Sequence, residues 1–238
     1  MATLYVVATP IGNLEDITLR ALRTLKEVAV VLCEDTRTTK KLLAQYGITT
    51  PTLSYHARSG DTKVAKIIAL LEEGKDIALV SDAGTPAISD PGAVLVSTIR
   101  EYFRDAEERN DAIGARQHRQ RVIAIPGPSA LTAAFSVAGV PGSDFLFLGF
   151  LPHKKGRETL FREIAVSTRT VVFYESPHRI LKTLASLEAH AGRQRIVIAR
   201  ELTKIYEEVL EGTAEELLAR LIADPQKRKG EFVVILTP

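Results

Sequence analysis

Only one cysteine and one methionine, and no tryptophan, occur among the 238 residues. With Cys33 alone, an intrachain disulfide and any thiolate cluster are excluded; a buried, inert thiol in a reducing compartment is expected. No stretch approaches the roughly 18 uninterrupted apolar residues of a membrane span. The opening MATLYVVATP has no basic n-region and runs straight into strand-like sequence, so it reads as structure and not as a secretory signal. A cytoplasmic chain with no membrane partner is the expectation. The net charge is only +2, so there is no global basic field, and any nucleic-acid surface must be local. Phosphate loops are missing too: there is no GxxxxGK[ST], and Gly84 with Gly92 does not make a dinucleotide fingerprint. Gly127-Pro128-Ser129 lacks the last glycine of a hydrolase elbow. His56, His118, His153, His178 and His190 show no ligand spacing, and no metal is expected from them.

What is present is alternation. Ile77 to Val80 is a short apolar run of the kind that fits a strand covered on both faces. It breaks into SDAGTPAISDPG, where Gly84 and Pro86 punctuate a loop and Asp90-Pro91 reads as a helix N-cap followed by proline at the first helical position. A loop leaving the carboxyl end of a strand and feeding a helix is where open α/β sheets bind ligands. The same grammar recurs along the chain. Strands are expected at Leu4–Ala8, Ala29–Cys33, Thr52–Tyr55, Val122–Ile125, Phe145–Phe150, Thr170–Tyr174, Ile196–Ala199, Glu207–Gly212 and Glu231–Leu236. Helical spacing is expected from Asp16 through Val28, after Glu34-Asp35-Thr36-Arg37 as far as Gly47, from an Asp61 cap to Gly74, after Ser129, and after a Ser176 cap with Pro177. This predicts an α/β protein of two domains with roughly five strands each and largely parallel pairing. The boundary is placed by the change of composition at residues 120/121, giving domains 1–120 and 121–238.

Arg100 to Arg121 is rich in charge, half of its residues being Arg, Asp or Glu, with mixed signs and few apolar anchors. It reads as a solvated helix extension or loop, or else as a local RNA contact through Arg116, Arg119 and Arg121. Leu151-Pro152-His153-Lys154-Lys155-Gly156-Arg157 is a basic turn whose Lys154, Lys155 and Arg157 suit phosphate contacts. Phe147, Phe150 and Phe173 suit strand cores or base stacking. Glu34, Asp35 and Asp82 would hold a divalent cation if their loops converge, and otherwise serve as caps or ion-pair partners.

Taken in order, TPIGNLEDIT, CEDTR, LVSDAGTPAISDPG, PGPSA, GFLP, FYESPHR, ARELTK and KGEFV resemble the signature loops of the tetrapyrrole methylase superfamily. Within it they resemble the small-subunit (16S) ribosomal RNA methyltransferases that modify a cytidine ribose 2′-hydroxyl. The match spans essentially the whole chain. It implies two α/β domains, each around a five-stranded sheet, with S-adenosylmethionine in the cleft between them, a homodimer, and small-subunit ribosomal RNA or the 30S subunit as partner. Two departures stand out. The family's extra helical domain after the KGE strand is not in this sequence, and a charged insertion at about 104–121 replaces a short turn.

The resemblance implies that Thr85 and Ile88, with backbone from Asp82, Ala83 and Gly84, line the cofactor, and that Pro10, Ser129, Ala130 and Tyr174 close its pocket. A ribose hydroxyl is a poor nucleophile at neutral pH and gains from a proton acceptor in reach. Glu34, Asp35, Asp82, Glu175 and His178 are the candidates. Asp35 or Glu175 is favoured, with Arg37 and Arg179 orienting phosphate or the acids. Two other readings stay open: methylation of a tetrapyrrole or other small molecule on the same fold, and a catalytically silent RNA- or ribosome-binding module.

Overall fold

The computed structural model describes residues 2–56, 59–108 and 121–238. They divide into two compact units, Met1–Ser129 and Ala130–Pro238. In the first unit, β1 (Thr3–Val7), β2 (Val30–Cys33), β3 (Thr52–Ser54), β4 (Ile77–Leu79) and β5 (Arg121–Ile125) form one sheet in the order β3-β2-β4-β1-β5. All its pairings are parallel, with Leu4 of β1 opposite Ile77 on one side and Val122 on the other. The apolar runs of β2 and β4 are buried throughout because helices cover both faces. Ala21 and Leu25 of α1 (Leu19–Glu27) and Leu42 and Leu43 of α2 (Thr36–Gln45) pack on one face. Ile67 and Leu71 of α3 (Asp61–Glu72) and Leu95 and Ile99 of α4 (Gly92–Glu108) pack on the other.

The strand order creates one special place. From β1 the chain crosses toward the β2 edge, whereas from its neighbour β4 it crosses the opposite way, to β5. The two connections diverge at the carboxyl ends of β1 and β4, which is the switch point at which open α/β sheets leave a crevice.

The second unit holds β6 (Phe145–Phe150), β7 (Thr170–Glu175), β8 (Ile196–Arg200), β9 (Glu208–Gly212) and β10 (Phe232–Leu236) in the order β6-β7-β10-β8-β9. Phe161 and Ile164 of α6 (Arg157–Ala165), Ile180, Leu184 and Leu187 of α7 (Ile180–Ala191), and Leu217 and Leu221 of α8 (Ala214–Ala223) share its main core. α5 (Ala130–Ala138) packs against β8 and β10.

Several expectations need correction. Composition places strand 121–125 in the second domain, but it pairs along β1 and completes the first sheet, so the division falls after Ser129. The second sheet is mixed: β6 pairs parallel with β7, while the other three pairings are antiparallel. The helix expected from Asp16 begins at Leu19, where Thr18 accepts from the Ala21 N–H, after a separate 3-10 turn. Asp61 lies inside the first turn of α3, with Gly60 at the cap. Ser176 does not open α7 directly; its carbonyl accepts from the N–H groups of Arg179 and Ile180, and the helix starts at Ile180. Of the charged segment, Arg100–Glu108 belongs to α4. Arg116 and Arg119 lie outside the described residues.

Candidate functional site

At the switch point three loops of the first unit are tied together through their main chains. The Thr9 N–H donates to the Gly84 carbonyl at 2.9 Å and the Gly84 N–H donates to the Thr9 carbonyl at 3.0 Å. The Thr85 hydroxyl donates to the Pro128 carbonyl at 3.0 Å. TPIGN, SDAGTP and PGPS therefore meet around Gly84. That residue has φ +77, and an added Cβ would stand 3.3 Å from Ile11 Cγ2 and 3.7 Å from the Pro128 oxygen. Any other side chain would be strained there and would fill the space between the loops. Farther along, Ala87 and Ser89 take positive φ of 71 and 128. The Asp90 carboxylate holds them so, accepting from the Ala87 N–H at 2.8 and 2.9 Å and from the Gly92 N–H at 2.7 Å. Strain of this kind persists only where surrounding contacts fix it, and it concentrates at ligand clamps. The sequence has Asp90 capping a helix opened by Pro91; the helix instead begins at Gly92, so Pro91 precedes it, and the Asp90 carboxylate ties the first helical N–H to the loop before it.

Among the residues named for the cofactor, Pro10 and Gly84 are buried, Thr85 is half-buried, and Asp82, Ala83 and Ile88 are exposed on this set of loops. Half-buried Ser129 ends the unit. Nearby, a cavity of about 670 Å³ lies between α3 and α4 and reaches the loop only at Ser89, Asp90 and Pro91. It does not coincide with the Thr9–Gly84 junction.

The acids of this unit differ sharply. Asp35 accepts from the Arg37 N–H at 2.8 Å and from its guanidinium at 2.8 to 3.2 Å. Those bonds hold its carboxyl at about 2. A group so acidic is a weak base at neutral pH. Asp82 Oδ1 accepts from the Asp35 N–H at 3.0 Å, so the two loops do converge, but through a backbone donor. Glu34 is different: it is half-buried, and among the described residues no hydrogen bond or ion pair reaches its carboxylate. Burial pushes its carboxyl up, assisted by the charges of Asp90 and Asp82.

In the second unit a charged network replaces backbone ties. The Glu175 side chain is fully buried and accepts from the Ser176 N–H at 2.7 Å, Arg179 Nε at 2.7 Å, Arg179 Nη2 at 3.1 Å and the Thr183 hydroxyl at 2.6 Å. With its lone pairs so occupied, it anchors the chain and is not available to take a substrate proton. Arg179 is consumed by the same pairing. Arg157 is a second correction: it is 5% exposed, not a surface phosphate contact. Its Nη2 donates to the Thr183 hydroxyl at 2.8 Å, its Nη1 donates to the Pro152 carbonyl at 3.1 Å, and the guanidinium lies 4.8 Å over the Phe161 ring. Lys154 and Lys155 remain exposed. Thr183 was missed in sequence. Its position four residues after Arg179 places both on one helix face, which is the available signal.

Tyr174 sits at the end of β7 beside this network. Phe147 and Phe150 meet its ring edge-on at 5.1 and 5.5 Å. Burial raises its phenol, and the Leu131 N–H directed at the oxygen opposes that shift. That N–H belongs to the first turn of α5. His178 is exposed, and Phe173 is core.

The ARELTK and KGE segments interlock as well. Arg200 is 7% exposed and donates to the carbonyls of Lys229, Tyr206 and Gln226 at 2.8, 3.1 and 3.0 Å. Lys204 bridges Glu201 at 2.9 Å and Glu231 at 2.8 Å. Gly230 has φ +99 and a Cβ there would lie 2.3 Å from Glu201 Cγ, so this close packing needs glycine.

The family described as Tetrapyrrole (Corrin/Porphyrin) Methylases matches residues 3–218. A curated protein of Thermotoga maritima, named Ribosomal RNA small subunit methyltransferase I, is 44% identical over 237 residues, covering 100% of this chain and 99% of its own length. A protein of the same name from Xylella fastidiosa is 48% identical over 236 residues, covering 98% of this chain and 81% of its own. Among solved structures, diphthine synthase aligns at TM-score 0.69 and 15% identity, over 100% of this chain and 90% of that one. Uroporphyrin-III-C-methyltransferase from Thermus thermophilus aligns at 0.64 and 18%, over 99% and 94%. These structural likenesses speak to the fold alone.

Proposed function

The chain belongs to the tetrapyrrole methylase family, and on that premise we propose that it is a methyltransferase moving a methyl group from S-adenosylmethionine to the ribose 2′-hydroxyl of a cytidine in small-subunit ribosomal RNA. The observation that carries this reading is the near-full-length similarity to proteins named for that class of substrate.

When bound, S-adenosylmethionine supplies an electrophilic methyl group on a sulfonium centre. The residues present suit it. The Thr9–Gly84 junction opens a backbone cradle in which a Cβ at Gly84 would intrude, and main-chain groups there can meet the amino-acid and nucleoside ends of such a molecule. Pro10, Asp82, Ala83, Thr85 and Ile88 are the residues assigned to hold it from the first unit, with Ser129, Ala130 and Tyr174 as the further contacts. Transfer to a hydroxyl then depends on placing the oxygen in line and on receiving its proton.

For that proton we assign Glu34 in place of Asp35 and Glu175. Among the described residues no hydrogen bond or ion pair reaches its carboxylate, and burial raises its proton affinity, whereas Asp35 is spent on Arg37 and Glu175 on four donors. Arg37, whose side chain is 87% exposed, is left as a group able to meet phosphate while it orients Asp35. Lys154 and Lys155 are kept as phosphate contacts. A homodimer in the cytoplasm completes the proposal; light scattering checks the former.

Nucleoside mass spectrometry after incubation with small subunits lacking the modification tests the whole. Ribose-methylated cytidine is expected; a methylated tetrapyrrole with no nucleoside product, or no turnover at all, overturns the assignment. In single-turnover assays Glu34→Gln should lower the methylation rate by about 10²- to 10⁴-fold while Asp35→Asn retains most of it. The reverse pattern would return the role to Asp35.

A further inference from the structure

Thr183 links the buried Arg157 to the Arg179–Glu175 pair through a single oxygen. Its hydroxyl donates to Glu175 Oε2 at 2.6 Å and accepts from Arg157 Nη2 at 2.8 Å, and its relative exposure is 0%. Arg157 comes from the first turn of α6, Glu175 from the last residue of β7, and Arg179 and Thr183 from the start of α7. Three elements of the second unit thus converge on one hydroxyl, and the chain they fix runs directly into Tyr174. A hydroxyl has one donor and two acceptor sites, so this one matches both demands; a thiol meets them only weakly and a methyl not at all. Arg157 Nε, moreover, is buried without a partner. That guanidinium therefore depends on Thr183 and the Pro152 carbonyl for its remaining bonds.

We infer that Thr183 is a positioning residue for the methyl-transfer reaction: bridging Arg157 to Glu175, it sets the carboxyl end of β7 so that Tyr174 stands against the first turn of α5. The inference rests on the reading that Tyr174 and Ala130 contact the cofactor. It gives the buried Arg157 a task other than RNA contact. It also explains why a packed core position holds a threonine: valine has the same shape but leaves Glu175 without its shortest bond and Arg157 with a second unpaired nitrogen. Unmade buried bonds of this kind are strongly unfavourable.

Thr183→Val, Thr183→Ser and Arg157→Lys, made in the full chain, test it. S-adenosylmethionine affinity is read by calorimetry, KM and kcat by methylation of small subunits, and folding by circular dichroism. Thr183→Val should weaken cofactor binding about tenfold, corresponding to one lost buried bond. That loss should appear in KM for the cofactor with folded content and RNA affinity kept, and Thr183→Ser should restore it to within about twofold. Arg157→Lys, which keeps the charge but not the two-pronged guanidinium, should show the same selective loss with an unchanged salt slope of RNA binding, and it decides the matter if Thr183→Val does not fold. Wild-type affinity in both Thr183→Val and Arg157→Lys overturns the inference, as does a loss that merely follows the unfolded fraction. Wild-type protein that binds no S-adenosylmethionine overturns the cofactor reading first, and this inference with it.

Discussion

In the first unit the loops at the carboxyl edge of the sheet are joined through main-chain donors: Thr9 and Gly84 bond each other, the Asp35 N–H donates to the Asp82 carboxylate, and the Ala87 and Gly92 N–H groups donate to that of Asp90. In the second unit the corresponding work falls to buried charged side chains, with Glu175 between Arg179 and Thr183, and Arg200 among three carbonyls. The difference bears on what each can offer a ligand. Loops fixed through their backbones leave side chains such as Glu34 uncommitted and keep the space above a glycine open. Loops fixed through side chains use up those groups and present what lies next to them, here Tyr174. Glu34 and Glu175 look equivalent on paper, yet among the described residues four donors reach Glu175 and none reaches Glu34.

Breaking the second arrangement should have the largest effect. Glu175→Ala removes the acceptor for the Arg179 guanidinium, the Ser176 N–H and the Thr183 hydroxyl in a buried setting, and an unfolding free energy lower by about 3–5 kcal/mol is expected from denaturant titration. A loss near zero would mean that the second unit does not rely on its charges. Next comes the first unit's backbone junction. Gly84→Ala forces a side chain to φ +77 against Ile11, and about 1–3 kcal/mol should be lost, with weakened binding of S-adenosylmethionine.

Glu34→Gln should have a smaller effect of opposite sign. The folded protein holds this carboxyl above its ordinary value of 4.5. Between that value and the raised one, the folded state binds more protons than the unfolded, so stability declines as pH rises and the penalty is complete above the raised value. Glutamine cannot ionise. Thermal melts should therefore show the variant more stable than the wild type at neutral pH, with the advantage gone below pH 4.5. A variant less stable at neutral pH would show that Glu34 is held by favourable contacts and is not poised for reaction. Smallest of all, Arg37→Ala should leave the melting temperature unchanged, since its guanidinium is 87% exposed and a surface pair contributes little.

Much of the fold was legible. Every strand was found within a residue or two because buried parallel and mixed strands read as short apolar runs closed by Gly, Pro or Asp. The domain boundary was not, since β5 follows a charged segment and its partner β1 is more than a hundred residues earlier in the chain. Antiparallel pairing of β10 between β7 and β8 was hidden for the same reason: it is decided by partners distant in sequence. The site was legible as loops and less so as roles. Asp35 and Glu34 are neighbours of like chemistry, and what separates them is the burial of Glu34 near Asp90 and Asp82 and the approach of Arg37 to Asp35. Arg157 follows two exposed lysines and a glycine, so its neighbours in sequence suggest surface; its burial is fixed by Thr183 and Phe161.

The reciprocal pair of bonds between Thr9 and Gly84 makes these two amides a gauge of the crevice. Neither N–H can meet solvent unless the two loops part, so deuterium uptake at the two positions should rise together and report how often the loops separate. A bound ligand that spans the loops would slow both by the same factor, giving its affinity for the closed arrangement without any measurement of turnover.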